Sequence, residues 1–230
     1  MNGIELFAGS CTFKKEAQYL GHKVFAIDIK PFNGVDLVKD MEYVTINDLP
    51  YIPDFGWFSP PCTTYSIAAI SRHRDMGIPK TEFAKKSDKI LLNSIKLIND
   101  ILKLNPNFKW YIENPRGYLR KMHFMIGLPR VTVWYCQYGD TSAKPTDIWS
   151  NNIYNPLFNS KGWNPRPECK NGNNNCHHDK QPRGYKAKKE SGALGKGTQG
   201  KKDNYERSKL PVELCKEIVS TLKDNYEIQK

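Results

Sequence analysis

Residues 3–29 read GIELFAGSCTFKKEAQYLGHKVFAIDI, a stretch that alternates between apolar runs of strand length and one helical segment. The pattern predicts a strand from Gly3 to Phe7, a helix from Phe13 to Leu20 that ends at Gly21, and a strand from Val24 to Ile29. A strand, a helix and a strand in this order predict two parallel neighbouring strands with the helix packed across them.

The same alternation continues through the first 150 residues. The strongest helix is predicted from Glu82 to Leu104, where apolar residues recur with a period of 3.6, and Asn105-Pro106 ends it. Further strands are predicted at Phe55–Phe58, Phe108–Ile112, Val131–Cys136 and Asp147–Trp149, with a short helix from Gly117 and a last helix from Pro211 through Leu222. The sequence therefore predicts an α/β fold with a mostly parallel sheet and helices on both faces.

The positive charge of the chain is concentrated in one region. The formal net charge is +11, and residues 151–209 contain thirteen Lys and Arg against five Asp and Glu. This region is rich in Asn, Gly and Pro, and a polyanion is its expected partner. Trp163 and Tyr185 are expected to stack on or wedge between bases, although a small core could equally use Trp163. The residues expected to contact phosphates are Arg166, Arg183, Lys186, Lys188, Lys189, Lys201 and Lys202.

Cysteine usage and hydropathy predict the compartment. The six cysteines are scattered, the chain opens without a signal peptide, and its apolar runs are too short to span a membrane. We therefore expect a reduced, cytoplasmic protein that does not bind membranes and is a monomer.

Four potential zinc ligands lie within ten residues: Cys169, Cys176, His177 and His178. Thiolate and imidazole are the ligands that Zn²⁺ prefers, and a segment this poor in apolar residues would be stabilised by a metal. We predict a zinc site, against the alternative that these residues lie in an unstructured loop.

The end of the first predicted strand has the features of a cofactor site. Small residues in Leu6–Ser10 let the backbone approach a ligand, and the following helix N-terminus favours negative charge. Asp28 ends the second strand, where a carboxylate can accept hydrogen bonds from two ribose hydroxyls. The layout serves dinucleotides and S-adenosylmethionine alike, and the alternative is a tight turn with a solvent-facing Asp.

Two further runs follow predicted strands: FSPPCTTYS at residues 58–66 and WYIENP at residues 110–115. Together with ELFAGS at residues 5–10, they resemble the ordered motifs of the C5-cytosine methyltransferases. Looser similarities are YGDTSAKPTDIW at residues 138–149 and the last helix with its leading residues 207–211. The resemblance covers residues 3–149 and 205–222, and is that of a small, divergent, phage- or bacteria-like member. It implies a Rossmann-like class I S-adenosylmethionine-dependent methyltransferase fold.

The resemblance also implies which residues hold S-adenosylmethionine. Cys11 stands where the family usually has Gly, so the loop must accommodate a larger side chain. Asp40 resembles the aspartate that contacts the adenine amine, with Asp36 as the competing choice. The implied cofactor residues are Phe7, Ala8, Gly9, Ser10, Cys11, Asp28, Ile29, Asp40, Met41, Pro60 and Ser208.

The same resemblance implies the catalytic residues. Cys62 would attack cytosine C6 as a thiolate, and Glu113 would protonate or hydrogen-bond N3 while Asn114 supports the loop. Lys144 and Thr146 occupy the places of two family arginines and would hold the target phosphate or cytosine O2.

The implied function is DNA cytosine-5 methylation at a flipped base, in a restriction-modification or viral anti-restriction setting. Residues 1–150 and 205–230 would form the catalytic domain, and residues 151–204 a small basic target-recognition region. Three alternatives stay open: methylation of cytosine in RNA, a non-catalytic nucleic-acid-binding protein on the same scaffold, and another C5 modification with a different electrophile.

Overall fold

The protein is built around a seven-stranded sheet, and the computed structural model describes residues 1–154, 162–169 and 204–222. The strands of the described residues are β1 (Asn2–Leu6), β2 (Lys23–Asp28), β3 (Leu37–Val38), β4 (Phe55–Phe58), β5 (Arg74–Asp75), β6 (Ile78–Pro79), β7 (Lys109–Pro115), β8 (Arg130–Trp134) and β9 (Pro145–Ser150). The large sheet has the order β3-β2-β1-β4-β7-β9-β8, and β5 pairs with β6 in a separate hairpin. In the large sheet β9 is antiparallel to both of its neighbours, whereas the other adjacent pairs of strands are parallel. This arrangement confirms the predicted sheet and is that of a Rossmann-like class I methyltransferase fold.

Helices cover both faces of this sheet, as predicted. The α-helices of the described residues are α1 (Thr12–Tyr19), α2 (Ile70–His73), α3 (Glu82–Leu104), α4 (Asn204–Ser208) and α5 (Val212–Ser220). The buried side of α3 packs in one hydrophobic cluster with alternate residues of β1, β4 and β7. α1 and α5 contact each other and pack in a second cluster on the opposite face. The described residues contain no helix with the length and hydropathy needed to cross a bilayer.

Helix α3 shows how local sequence sets the element boundaries. The Thr81 hydroxyl accepts a hydrogen bond from the Ala84 backbone N–H at 3.2 Å, which caps the first turn. At the other end, Asn105 leaves the helical conformation, as a residue before proline is expected to do. The predicted helix is therefore confirmed residue for residue.

The C-terminal part of the described chain bears on the roles expected for two residues. Trp163 is fully buried against α5, and its indole N–H donates to Glu217 at 2.9 Å. Arg166 donates to Glu213 at 2.6 Å and to Glu217 at 2.8 Å. Trp163 is too buried to stack on a base, and it belongs to the main hydrophobic core and not to a separate small core. Arg166 pairs with two carboxylates, and its contact with a phosphate stays a prediction. Tyr185 and the other expected phosphate contacts lie outside the described residues.

Other element boundaries also differ from the prediction, and two of these differences are short 3₁₀ turns. The strand expected to reach Cys136 ends at Trp134, because the Tyr135 N–H bonds to the Ala143 carbonyl at 3.0 Å and the chain turns into a short 3₁₀ helix. That turn closes at Gly139, whose φ of +83° suits glycine. The helix expected after Gly117 is one 3₁₀ turn, Tyr118–Lys121. Apolar periodicity does not mark such turns, since both bends are fixed by contacts with distant residues.

Candidate active site

A cavity of about 940 Å³ opens at the carboxyl ends of β1, β4 and β7. Parallel strands end at the same edge of a sheet, so the segments that follow them meet there. Its size suits a ligand of drug-like dimensions. Nine predicted site residues line it: Phe7, Ala8, Gly9, Ser10, Pro60, Cys62, Glu113, Lys144 and Ser208.

The loop after β1 is shaped by backbone conformations that favour glycine. Phe7, Gly9 and Cys11 have φ angles of +60°, +48° and +53°. The Cys11 conformation explains why glycine suits this position in the family that the sequence resembles. The Cys11 side chain is fully buried, away from the cavity, and burial raises the pKa of its thiol to about 11. The thiol is therefore protonated at neutral pH.

Besides Cys11, four predicted cofactor residues do not line the cavity. The Asp28 carboxylate accepts hydrogen bonds from the backbone N–H groups of Gly9 at 3.0 Å and Lys30 at 2.9 Å. The next residue after Asp28, Ile29, is exposed. Asp40 forms an ion pair with Lys86 at 2.6 Å, and Met41 is buried among core residues. Asp28 thus orders the loop around the cavity, and the cofactor contacts of these residues remain predictions.

The competing choice for Asp40 is also engaged elsewhere. The Asp36 carboxylate accepts hydrogen bonds from the Lys14 ammonium at 2.6 Å and from the Ala26 backbone N–H at 2.7 Å. Both candidate aspartates therefore have protein partners in this structure.

Cys62 lies between two prolines and a 3₁₀ turn, Thr63–Tyr65. The residue is half-buried, forms no disulfide and lines the cavity. The two residues that follow Thr63 are buried, and the Tyr65 hydroxyl donates to Asp88 at 2.7 Å. The nucleophile candidate is thus presented to the cavity by a turn whose far side is fixed in the core.

Glu113 and Asn114 lie within β7, which continues to Pro115 because Pro115 pairs with Thr146. The expectation that the carboxylate follows the strand is corrected accordingly. Asn114 Nδ2 donates to the Pro60 carbonyl at 2.9 Å, so it links β7 to the loop that carries Cys62. The Pro60 carbonyl therefore already accepts one hydrogen bond.

Lys144 and Thr146 are placed differently. Lys144 lines the cavity, has a φ of +25°, and holds its ammonium 4.5 Å from the centre of the Tyr135 ring. Thr146 is fully buried and donates to the Lys144 carbonyl at 3.1 Å. The structure therefore brings Lys144 to the cavity and does not bring Thr146 there.

Three residues of the site were missed by sequence reasoning as functional candidates. Glu5 and Arg116 line the cavity, and Tyr135 donates a hydrogen bond to Glu113 at 2.8 Å. Arg116 directly follows the Glu-Asn-Pro run, so its position was a signal that could have been used. Tyr135 carried no such signal, because its contact depends on how β8 and β9 pair.

Burial changes the titration of Glu5. Its carboxylate accepts the Lys14 backbone N–H at 2.8 Å, yet desolvation raises its pKa from 4.5 to about 8. At pH values between these two pKa values, the folded state binds more protons than the unfolded state. The contribution of Glu5 to the free energy of unfolding therefore declines as the pH rises from about 4.5 to about 8.

We expect Glu5→Gln to flatten this decline, because the amide stays neutral and can still accept the Lys14 N–H. Urea unfolding at pH 5, 7 and 9 measures it. Glu82→Gln is the control: Lys85 holds the pKa of that exposed carboxyl below its usual value, so it titrates below the window. An equal pH slope in wild type and Glu5→Gln would contradict the expectation.

The predicted zinc ligands lie mostly outside the described residues. Cys169 is half-buried and forms no disulfide, whereas Cys176, His177 and His178 are not among the residues described. Within the described ranges no three His, Cys, Asp or Glu side chains are grouped as a metal site. Zinc binding stays a prediction.

Comparisons with known proteins gave structural matches alone. No protein-family model and no curated protein matches the chain. The methyltransferase EhMeth of Entamoeba histolytica is similar with a TM-score of 0.46 and 18% identity, over 65% of this chain and 52% of that one. A DNMT2 mutant of Spodoptera frugiperda is similar with a TM-score of 0.45 and 14% identity, over 65% of this chain and 49% of that one. The chain thus spans about half the length of each of these structures.

Proposed function

We propose that the protein is a cytosine-5 methyltransferase that transfers a methyl group from S-adenosylmethionine to DNA. One observation carries the proposal: the half-buried Cys62 from the loop after β4 and the buried Glu113 from β7 line the same cavity. A purely structural role requires neither residue at that place. The basic composition of the chain suits a polyanionic substrate.

The residues around the β1 loop fit the proposed cofactor. Ala8, Gly9 and Ser10 present small side chains at one wall of the cavity, next to the start of α1. The Glu5 carboxyl lines the same wall and can accept a hydrogen bond from an ammonium group. When bound, S-adenosylmethionine supplies a methyl group that is electrophilic because it is carried by a sulfonium.

The chain's own residues account for activating the base. The Cys62 thiolate forms a bond to cytosine C6, and Glu113 gives a proton to N3, so that electron density moves to C5. Once C5 carries the methyl group, a base removes the C5 proton. The electron pair of the C5–H bond then forms the C5–C6 double bond again, and the thiolate leaves from C6. N3 returns its proton to Glu113, so the ring ends with one added methyl group, and both Glu113 and Cys62 are regenerated.

The target base must leave a duplex before Cys62 can reach C6. We place its backbone near Arg116 and Lys144, two cationic side chains that line the cavity. We assign residues 151–204 as the target-recognition region because most of the excess positive charge lies there.

The test is transfer of radiolabel from S-adenosylmethionine to mixed-sequence DNA and to RNA, followed by identification of the methylated nucleoside. Label as 5-methylcytosine in DNA supports the proposal, and label in RNA alone moves the substrate to RNA. Measurable nucleic-acid binding without label in either polymer would favour the non-catalytic binding protein. A 5-fluorocytosine substrate adds a second readout, since C5–F cannot be lost as a proton and the adduct on Cys62 should persist.

Arg116→Ala is expected to weaken nucleic-acid binding by about 3- to 10-fold and to reduce the slope of log affinity against log salt by about 1. The guanidinium lines the cavity and, among the described residues, contacts the Trp134 ring at 5.9 Å, an arrangement that leaves its donors for a phosphate. Fluorescence anisotropy titrations between 50 and 200 mM salt measure the slope.

The matched control is Lys103→Ala, which removes the same charge from an exposed position at the end of α3. Equal losses in both variants would mean that Arg116 acts through net charge alone and contacts no phosphate.

A further inference from the structure

Tyr135 is the buried side chain that touches the proposed acid. Its hydroxyl donates to Glu113 Oε1 at 2.8 Å, and the residue is fully buried at the point where β8 gives way to the 3₁₀ turn. The contact joins residues 22 positions apart in the chain. Glu113 itself lines the cavity, so this hydrogen bond reaches the site from its protein side.

The direction of the hydrogen bond is fixed by the phenol. Burial, and after it the charge of Glu113, raises the pKa of Tyr135 well above its usual value. The phenol therefore keeps its proton across the pH range of a folded enzyme and offers that proton to Oε1. The second oxygen, Oε2, is left for the cavity.

Two predicted site residues are neighbours of the Tyr135 phenol. Lys144 holds its ammonium over the Tyr135 ring, at 4.5 Å from the centre. Thr146 stands where the resembling family has an arginine, and it is fully buried beside this group. A neutral phenol orients a carboxyl group whether that group is ionised or protonated, whereas an arginine favours the ionised form alone.

We propose that Tyr135 is a positioning residue for Glu113: by holding Oε1, it turns Oε2 and the acidic proton toward N3 of the target cytosine. The inference rests on the proposed methyltransferase function and adds to it the residue that orients the acid. Tyr135 itself touches no substrate atom and acts through Glu113.

Tyr135→Phe tests this role, because it keeps the ring and its contact with Lys144 and removes only the hydroxyl. We expect kcat to fall about 10- to 100-fold, the scale seen when an outer hydrogen bond that orients a functional group is lost. The KM for S-adenosylmethionine and for the cytosine polymer should change less than about 3-fold, since uniform binding is untouched. Steady-state kinetics of methyl transfer with the full chain give both parameters.

Tyr111→Phe is the matched control. Tyr111 is also fully buried, and its hydroxyl accepts a hydrogen bond from Asn152 at 2.7 Å away from the cavity. Losing that hydroxyl should lower stability without lowering kcat below the melting temperature. A fall of kcat in Tyr111→Phe equal to that in Tyr135→Phe would overturn the proposal, because a general loosening of the core would explain both.

A double-mutant cycle separates positioning from structure. If Tyr135 acts through Glu113, Tyr135→Phe should cost less than about 3-fold in a Glu113→Gln background, where no acidic proton remains to be oriented. Losses that multiply would overturn the proposal, as would wild-type kcat in Tyr135→Phe. Absence of transfer by the wild type would instead overturn the proposed function itself, so the two failures are distinct.

Discussion

Replacing Cys62 with alanine is expected to abolish methyl transfer, with a loss of at least about 10⁴-fold in kcat, the scale seen when a covalent nucleophile is removed. Cys62 is half-buried and lines the cavity, and no C6 adduct can form without its thiol. Radiolabel transfer to the preferred polymer measures the loss, and mass spectrometry after reaction with a 5-fluorocytosine substrate should show no adduct.

Cys62→Ser is the matched variant, because it keeps the size of the side chain and offers a hydroxyl that is far less nucleophilic than a thiolate. Both variants should bind the cytosine polymer within about 3-fold of the wild type and melt within a few degrees of it, since the residue is only half-buried. Methyl transfer that survives either substitution would assign the nucleophile to another residue.

The sequence was sufficient to predict the sheet and the position of the site. Helix α3 was predicted with its correct ends, because both of its boundaries follow from residues at those ends. The resemblance assigned Cys62 and Glu113 to one site, and both line the same cavity because β4 and β7 are parallel neighbours whose carboxyl ends lie at the same edge of the sheet. Local periodicity and the order of strands are thus the parts of this fold that a single sequence encodes visibly.

Contacts between distant elements were not predictable in the same way. Asp40 was assigned to the cofactor, yet it pairs with Lys86 across 46 residues. Asp28 turned out to bind the loop after β1 through the Gly9 N–H. Each carboxylate found a donor whose position depends on the packing of α3 or on the curvature of a loop. Hydrogen bonds formed across the fold therefore decide which candidate residues remain available to a ligand.

The role of Arg74 also depends on hydrogen bonds between elements that are distant in the chain. It is buried beneath the turn that carries Cys62 and donates to the Thr64 carbonyl at 3.0 Å. It also donates to both oxygens of Asp88, at 2.6 and 2.9 Å, and its guanidinium lies 4.3 Å from the centre of the Tyr65 ring. These contacts join the hairpin, α3 and the Cys62 turn through one cation.

Replacing Arg74 with methionine is therefore expected to lower the free energy of unfolding by about 3–5 kcal/mol, because Asp88 keeps a largely buried charge with no cation beside it. Urea unfolding measures the loss. In the same variant kcat should fall at temperatures where the protein stays folded, since the turn after Cys62 loses the donor that fixes the Thr64 carbonyl.

The double variant Arg74→Met with Asp88→Leu distinguishes the loss of the ion pair itself from the cost of leaving the Asp88 charge buried without a cation. Removing both partners should recover a substantial part of the stability, because no buried charge remains. It should not recover kcat, since the Thr64 carbonyl is still without its donor. Lys85→Met, which breaks the exposed pair with Glu82, should leave both quantities unchanged. If the double variant regained full activity, Arg74 would stabilise the fold without positioning Cys62, and the turn would owe its geometry to its own residues.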